Sequence, residues 1–225
     1  MRDSLSRGTD EFLIADFASG EHDRVPSFFI QILPELLCDV NVARESFVYS
    51  IDLHSLRLDS LLGNLEESGL LERARVVQAK LESMDQEASL RPSMIDFIEE
   101  HLETAIWLDD FLIGENRFPP DCFDLGILNN DVIGYMHEYY KSYSDAQLGV
   151  QKVFNLIRKN GLLVVTMPCS LYVVDNISVL ENTGFEYVEG IDIDLKNEHI
   201  TSIEPNSNPE TFSRLGHYTF LVFRK

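Results

Sequence analysis

The sequence predicts a doubly wound α/β fold: a mostly parallel, seven-stranded sheet with helices on both faces and an antiparallel C-terminal strand. Three observations carry this reading. Strand-like and helix-like segments alternate along most of the chain. Leu162 to Met167 is an almost unbroken apolar run, as a parallel strand buried on both faces requires. Tyr187 to Leu195 and His217 to Phe223 have only a polar loop between them, which suits an antiparallel pair better than a right-handed crossover.

The elements follow in order. Phe12 to Asp16 is a short apolar strand ending in an acid, then a turn, Phe17-Ala18-Ser19-Gly20, and a helix-like stretch from Ser27 to Leu37. Ser46 to Asp52, rich in β-branched and aromatic residues, is the second strand and again ends in an acid. Leu58, Leu61, Leu62 and Leu65 recur at helical spacing between Ser55 and Ser68, and Gly69 fits the stop. Ala74 to Leu81 is the third strand and Phe123 to Leu128 the fourth. A helical region from Val132 to Lys159, broken near Ser142 to Asp145, leads through Asn160-Gly161 into the fifth strand, and Val173 to Asn182 is a further helix.

One connection is oversized. Glu82 to Asp121 holds 11 acidic and 2 basic residues, so it carries −9 of a net charge of −20 (38 acidic against 18 basic). The spacing of Ile95, Ile98, Leu102, Ala105 and Ile106 predicts one helix from Ser93 to Ile113, with Ser93 and Asp96 as a capping pair and Gly114 as its stop. It reads either as a crossover helix on the sheet or as a lid or protein-partner surface, including a homodimer contact. The whole chain, 1–225, reads as one domain with an acidic helical insertion at about 82–121.

Composition narrows the function. A charge of −20 repels phosphate backbones and anionic lipid, so nucleic-acid and membrane-surface partners are disfavoured and a small-molecule substrate is expected. No apolar run approaches the roughly 20 residues that span a bilayer. Cys38, Cys122 and Cys169 lack a CxxC pair and read as reduced thiols of a cytoplasmic protein, with no metal site.

In such sheets ligands bind beyond the carboxyl ends of the strands, near the switch in strand order. The candidates are therefore Asp16, Ala18, Ser19 and Gly20 after the first strand, Asp52 and Leu53 after the second, Leu81, Glu82 and Ser83 after the third, and Asn129, Asn130 and Asp131 after the fourth. A carboxylate at Asp52 can accept from both hydroxyls of a ribose, or cap the following helix. Asp131 is open to the same capping reading. The single glycine of the first turn disfavours an NAD site, which wants G-x-G-x-x-G.

Four passages resemble class I S-adenosylmethionine-dependent methyltransferases. Ile14-Ala15-Asp16-Phe17-Ala18-Ser19-Gly20 looks like their first motif, an acid followed by G-x-G-x-G. Phe118-Pro119-Pro120-Asp121-Cys122-Phe123-Asp124-Leu125 is similar to their entry into the fourth strand. Val153 to Pro168 looks like their run into the fifth, and Leu180 to Gly190 like their following helix-to-strand passage. The four come in the family's order and cover nearly the whole chain.

The resemblance implies S-adenosylmethionine as cofactor. It places Asp16 near the methionine amino group and Gly20 where the backbone needs room. Asp52 would hold the ribose, Glu82 or Ser83 would border the adenine, and Asn129 would lie beside the methionine and the methyl. Ala18 and His22 stand where the family usually has glycines. Methyl transfer gains mainly from alignment, and a base is needed only if the acceptor carries a proton. Candidate bases are His22, Asp131, Tyr135, Tyr139 and His137. The altered first motif also leaves open a methyltransferase-fold protein that binds without catalysing.

Overall fold

The computed structural model describes residues 11–36, 45–101, 106–139, 143–168, 173–204 and 216–225. Strands β1 (Glu11–Phe17), β2 (Glu45–Asp52), β3 (Ala74–Ala79), β5 (Phe123–Leu128) and β6 (Ile157–Met167) are parallel to their neighbours in the order β3-β2-β1-β5-β6. Beyond β6, β9 (His217–Arg224) runs antiparallel between β6 and β7 (Glu186–Asp194). These are the seven strands the sequence predicts.

The sheet is nevertheless nine-stranded and mixed, in the order β4-β3-β2-β1-β5-β6-β9-β7-β8. β4 (Ala88–Leu90) pairs antiparallel with β3 at one edge, and β8 (His199–Ser202) pairs antiparallel with β7 at the other. The expectation of a seven-stranded, mostly parallel sheet is corrected on both counts. At three and four residues the edge strands are too short to show an alternation.

The helices also depart from expectation. The first crossover is a helical run of three pieces: α1 (Arg24–Ser27), a π-helical turn over Phe28–Ile32, and α2 (Leu33–Leu36). α3 (Ser55–Glu67) follows β2 and buries Leu58, Leu61 and Leu65. The single helix predicted over Ser93 to Ile113 is two, α4 (Pro92–Glu100) and α5 (Trp107–Glu115). Pro92 opens α4 in the position where its missing N–H costs nothing, so Ser93 and Asp96 do not cap it. At the start of α5 the Asp109 carboxylate accepts the Ile106 N–H at 3.2 Å, and Asn116 (φ 52) ends the helix, not Gly114. α6 (Val132–Tyr139) and α7 (Tyr143–Leu156) replace the long region after β5, and β6 starts at Ile157, five residues before the predicted strand. α8 (Val173–Thr183) completes the set.

The acidic crossover is fastened to the core. Asp109 reaches from α5 to Arg75 on β3 and Tyr49 on β2, with the Arg75 Nε at 2.9 Å and the Tyr49 hydroxyl at 2.8 Å; all three are fully buried. Arg91 binds Gln78 and Asp59, Asp85 accepts from Lys152 at 2.7 Å, and Asp121 accepts from Lys225 at 2.8 Å. Within the described residues this segment is a crossover packed on the sheet. Three of its carboxylates, Asp85, Asp109 and Asp121, pair with cations outside the segment.

Packing explains the motifs that carry the family resemblance. Phe118 and Phe123 are fully buried and meet Tyr49 edge-on. Asp124 accepts the Leu13 N–H at 2.8 Å and pairs with Arg158, tying β5 to β1 and β6. Gly184 (φ 113) ends α8 and lets Phe185 turn into the core against Phe154 and Phe223.

Candidate functional site

β1 connects onward to β2 on one side, while β5 lies on its other side, so the strand order reverses between β1 and β5. A cavity of about 520 Å³ opens there, at the carboxyl ends of the parallel strands. Its volume is in the range of small-molecule sites.

The turn after β1 forms one wall through Ala18, Ser19, Gly20, Glu21 and His22. Two hydrogen bonds pin this turn to the end of β2. The Ser19 N–H donates to the Ile51 carbonyl at 3.0 Å, and the Gly20 N–H to Asp52 Oδ2 at 3.0 Å. The other Asp52 oxygen accepts the His54 N–H at 2.8 Å. Asp52 therefore organises the entrance, with further lone pairs left on the same carboxylate. Ala18 (φ 59) and Gly20 (φ 72) both have left-handed backbone. That conformation costs an alanine about 1 kcal/mol, so Ala18→Gly should raise stability by up to about 1 kcal/mol in urea unfolding, less what glycine loses in the unfolded chain. A destabilised Ala18→Gly protein would contradict this account of the turn.

The other walls come from Leu53 and His54 after β2, Lys80, Leu81 and Glu82 after β3, and Asn129 and Asn130 after β5. Val132, Tyr135 and Met136 of α6 complete an apolar side, and Asp145 and Arg57 reach the rim. The structure thus brings together Ala18, Ser19, Gly20, His22, Asp52, Leu53, Glu82, Asn129 and Tyr135 in one cavity.

Four other candidates lie elsewhere. Asp16 is 1% exposed at the end of β1, behind the cavity wall. Its Oδ1 has no hydrogen-bond partner, and burial, reinforced by the Asp52 carboxylate, pushes its pKa up to about 8. Ser83 starts a turn in which its carbonyl accepts the Gln86 and Glu87 N–H groups, and its side chain is not among those lining the cavity. Asp131 is buried, and its carboxylate accepts the Gly134 N–H at 3.1 Å and the Asn176 amide at 3.2 Å. It caps the first turn of α6, whose N–H groups have no partner within the helix, and so is not placed as a base facing the cavity. His137 follows Tyr135 by two residues on α6, which turns it about 200° around the helix from the cavity side. Only the backbone of Tyr139 falls within the described residues; Tyr140, Ser142, Cys38 and Cys169 lie outside them.

Sequence reasoning missed the residues that hold the turn after β5. Asn130 (φ 62) and Asp131 (φ 58) are consecutive left-handed residues. The Asn130 N–H donates to the Thr166 hydroxyl at 3.0 Å, and the Asp131 N–H to the Thr166 carbonyl at 2.7 Å. Tyr218 reaches the same cluster because β9 runs antiparallel and so begins at the ligand end of the sheet. Nothing near Tyr218 in sequence signals this. Lys80 could have been found, since it stands directly at a strand end. Among the described residues no group of His, Cys, Asp and Glu side chains is arranged to hold a metal ion.

The chain is a mixed Rossmann-like α/β sheet with a cavity at the strand-order reversal. No protein-family model matches this sequence, and no curated protein matches it. Solved structures do. A TehB-like SAM-dependent methyltransferase from Corynebacterium glutamicum is 14% identical, with a TM-score of 0.54, over 97% of this chain and 82% of that one. A SAM-dependent methyltransferase from Aquifex aeolicus is 11% identical, with a TM-score of 0.51, over 96% and 84%. The cyclase SpnF is 12% identical, with a TM-score of 0.54, over 96% and 76%. The chain has the fold of the class I S-adenosylmethionine-dependent methyltransferases, as the sequence motifs implied. A cyclase among the similar structures illustrates that the fold does not fix the reaction.

Proposed function

We propose that the protein is an S-adenosylmethionine-dependent methyltransferase acting on a small-molecule acceptor in the cytoplasm. The observation that carries this is the convergence of residues from the ends of β1, β2, β3 and β5 on one cavity at the strand-order reversal. The residues fit the cofactor. Asp52 lies at the β2 end with lone pairs to spare for the ribose hydroxyls, and Leu53 and Glu82 border the space for an adenine. Asp16 is a buried carboxyl with an unpartnered oxygen, which a nearby ammonium or sulfonium charge would stabilise in its ionised form.

Bound S-adenosylmethionine supplies a methyl group activated by its sulfonium. The chain's own contribution is then to align the acceptor and exclude water. Val132, Tyr135 and Met136 give that end of the cavity an apolar wall. His22 is the candidate base for an acceptor that carries a proton, because it lines the cavity while Asp131 and His137 do not.

Calorimetry with S-adenosylmethionine and S-adenosylhomocysteine tests the reading. Binding of both is expected, and Asp52→Ala should weaken it by about 1–3 kcal/mol through the lost charged hydrogen bonds. An absence of heat and of any thermal shift at millimolar ligand would refute the proposal.

A further inference from the structure

Asn129 and Asn130 both line the cavity. Their carbonyl oxygens are already engaged. The Thr166 hydroxyl donates to Asn129 Oδ1 at 2.5 Å, a distance that belongs to an O–H···O contact and so identifies the amide atom as oxygen. Thr166 accepts the Asn130 N–H on its own oxygen, which leaves its proton for Asn129. The Tyr218 hydroxyl lies 3.1 Å from Asn130 Oδ1, 3.3 Å from Asn129 Oδ1 and 3.1 Å from the Thr166 hydroxyl oxygen, and the amide oxygens can only accept from it. Thr166 is 6% exposed, so this lock is built into the sheet. Neither amide nitrogen donates to another protein group among the described residues.

We infer that Asn129 and Asn130 form a paired N–H donor subsite for a hydrogen-bond-accepting oxygen, carboxylate or carbonyl, of a ligand in the cavity, with Thr166 and Tyr218 as its positioning residues. The polarity follows from the lock. The hydroxyls turn each amide oxygen toward Thr166 and Tyr218, so the N–H groups, which donate to no other protein group among the described residues, are what the amides offer a ligand. An oxygen lone pair is matched by such donors, and an ammonium or amine N–H is not. This deepens the methyltransferase reading by assigning the polarity of the ligand group that meets the β5 end of the site. The oxygen has two sources, a methyl acceptor or the amino-acid carboxylate of the cofactor.

The test is NMR on the ¹⁵N-labelled full chain, following the side-chain amide signals that disappear in Asn129→Ser and Asn130→Ser. The probes are benzoate, acetophenone, benzylammonium, S-adenosylhomocysteine and 5′-methylthioadenosine, which lacks the amino-acid carboxylate. The amide signals should move with benzoate or acetophenone if the oxygen is the acceptor's. They should move with S-adenosylhomocysteine but not with 5′-methylthioadenosine if it is the cofactor's. Tyr218→Phe should then weaken the responding ligand about three- to tenfold, the usual scale of one hydrogen bond, while Thr166→Ser retains wild-type affinity. Equal or larger shifts with benzylammonium, no shift with any probe, or unchanged affinity in Tyr218→Phe overturns the inference. Failure of both adenosyl ligands to bind, with the response to benzoate or acetophenone intact, would count against the cofactor reading alone.

Discussion

Asp109→Ala should cost about 3–5 kcal/mol of stability, the usual penalty for stranding one partner of a buried ion pair. For a chain of this length that corresponds to a fall in Tm of roughly 6–20 °C. Arg75 and Asp109 are both inaccessible to water, and the Arg75 Nη1 donates to the carbonyls of Leu71 (3.0 Å), Glu72 (3.1 Å) and Ala74 (3.2 Å). Removing Asp109 takes a buried carboxylate from that guanidinium and the acceptor from the Tyr49 hydroxyl. The pair itself is not expected to be worth that much. Arg75→Met combined with Asp109→Leu should recover most of the loss, because an apolar pair of similar volume escapes the desolvation of two charges. Urea unfolding followed by circular dichroism checks both. A loss below about 1 kcal/mol in Asp109→Ala would mean that water reaches the pair.

Asp16→Asn should stabilise the protein increasingly as the pH rises from about 4 to about 8. The folded carboxyl titrates at about 8 against a reference value of 3.8. Between those values the native state holds a proton that the unfolded state has released. The stability associated with the protonated form is therefore complete below about pH 4 and is lost as the pH climbs through 8. At 1.36 kcal/mol per unit the loss amounts to about 4 kcal/mol by pH 7. An amide cannot ionise, so the Asp16→Asn variant should exceed the wild type by at least about 2 kcal/mol at pH 8 and match it near pH 4. Thermal melts across that range decide it. A pH-independent difference between the two proteins would show that Asp16 does not titrate as described. The same burial would make an ionised carboxylate there effective toward a cation, which is the stability–function trade expected of a binding site.

Much of the fold could be read along the chain because its signals are local. Leu162 to Met167 marked a strand by composition, and Leu58, Leu61 and Leu65 marked α3 by periodicity; the α3 leucines and Leu163, Val165 and Met167 of β6 are buried in the core, while Leu162 is exposed. β4 and β8 escaped because three or four residues carry no period. The break between α4 and α5 escaped because apolar spacing continued across it. The site was legible as far as strand ends predict it. Ala18, Gly20, Asp52, Glu82 and Asn129 line the cavity. Asp131 and His137 do not line the cavity: Asp131 caps α6, and His137 lies at a different helical phase from Tyr135.

The sequence by itself determined the seven principal strands, the antiparallel end and the strand-end positions from which a ligand site is assembled, since each rests on neighbours in the chain. Tertiary structure decided what those positions do. Pairing across the sheet brings Tyr218 and Thr166 to Asn129 and Asn130. Packing sets Asp109 against Arg75 and turns an acidic segment into part of the core. Burial beside Asp52 moves Asp16 to a pKa of about 8. Hydrogen-bond partners, dielectric surroundings and like-charge neighbours are set by residues distant in sequence, so residue types along the chain do not determine them.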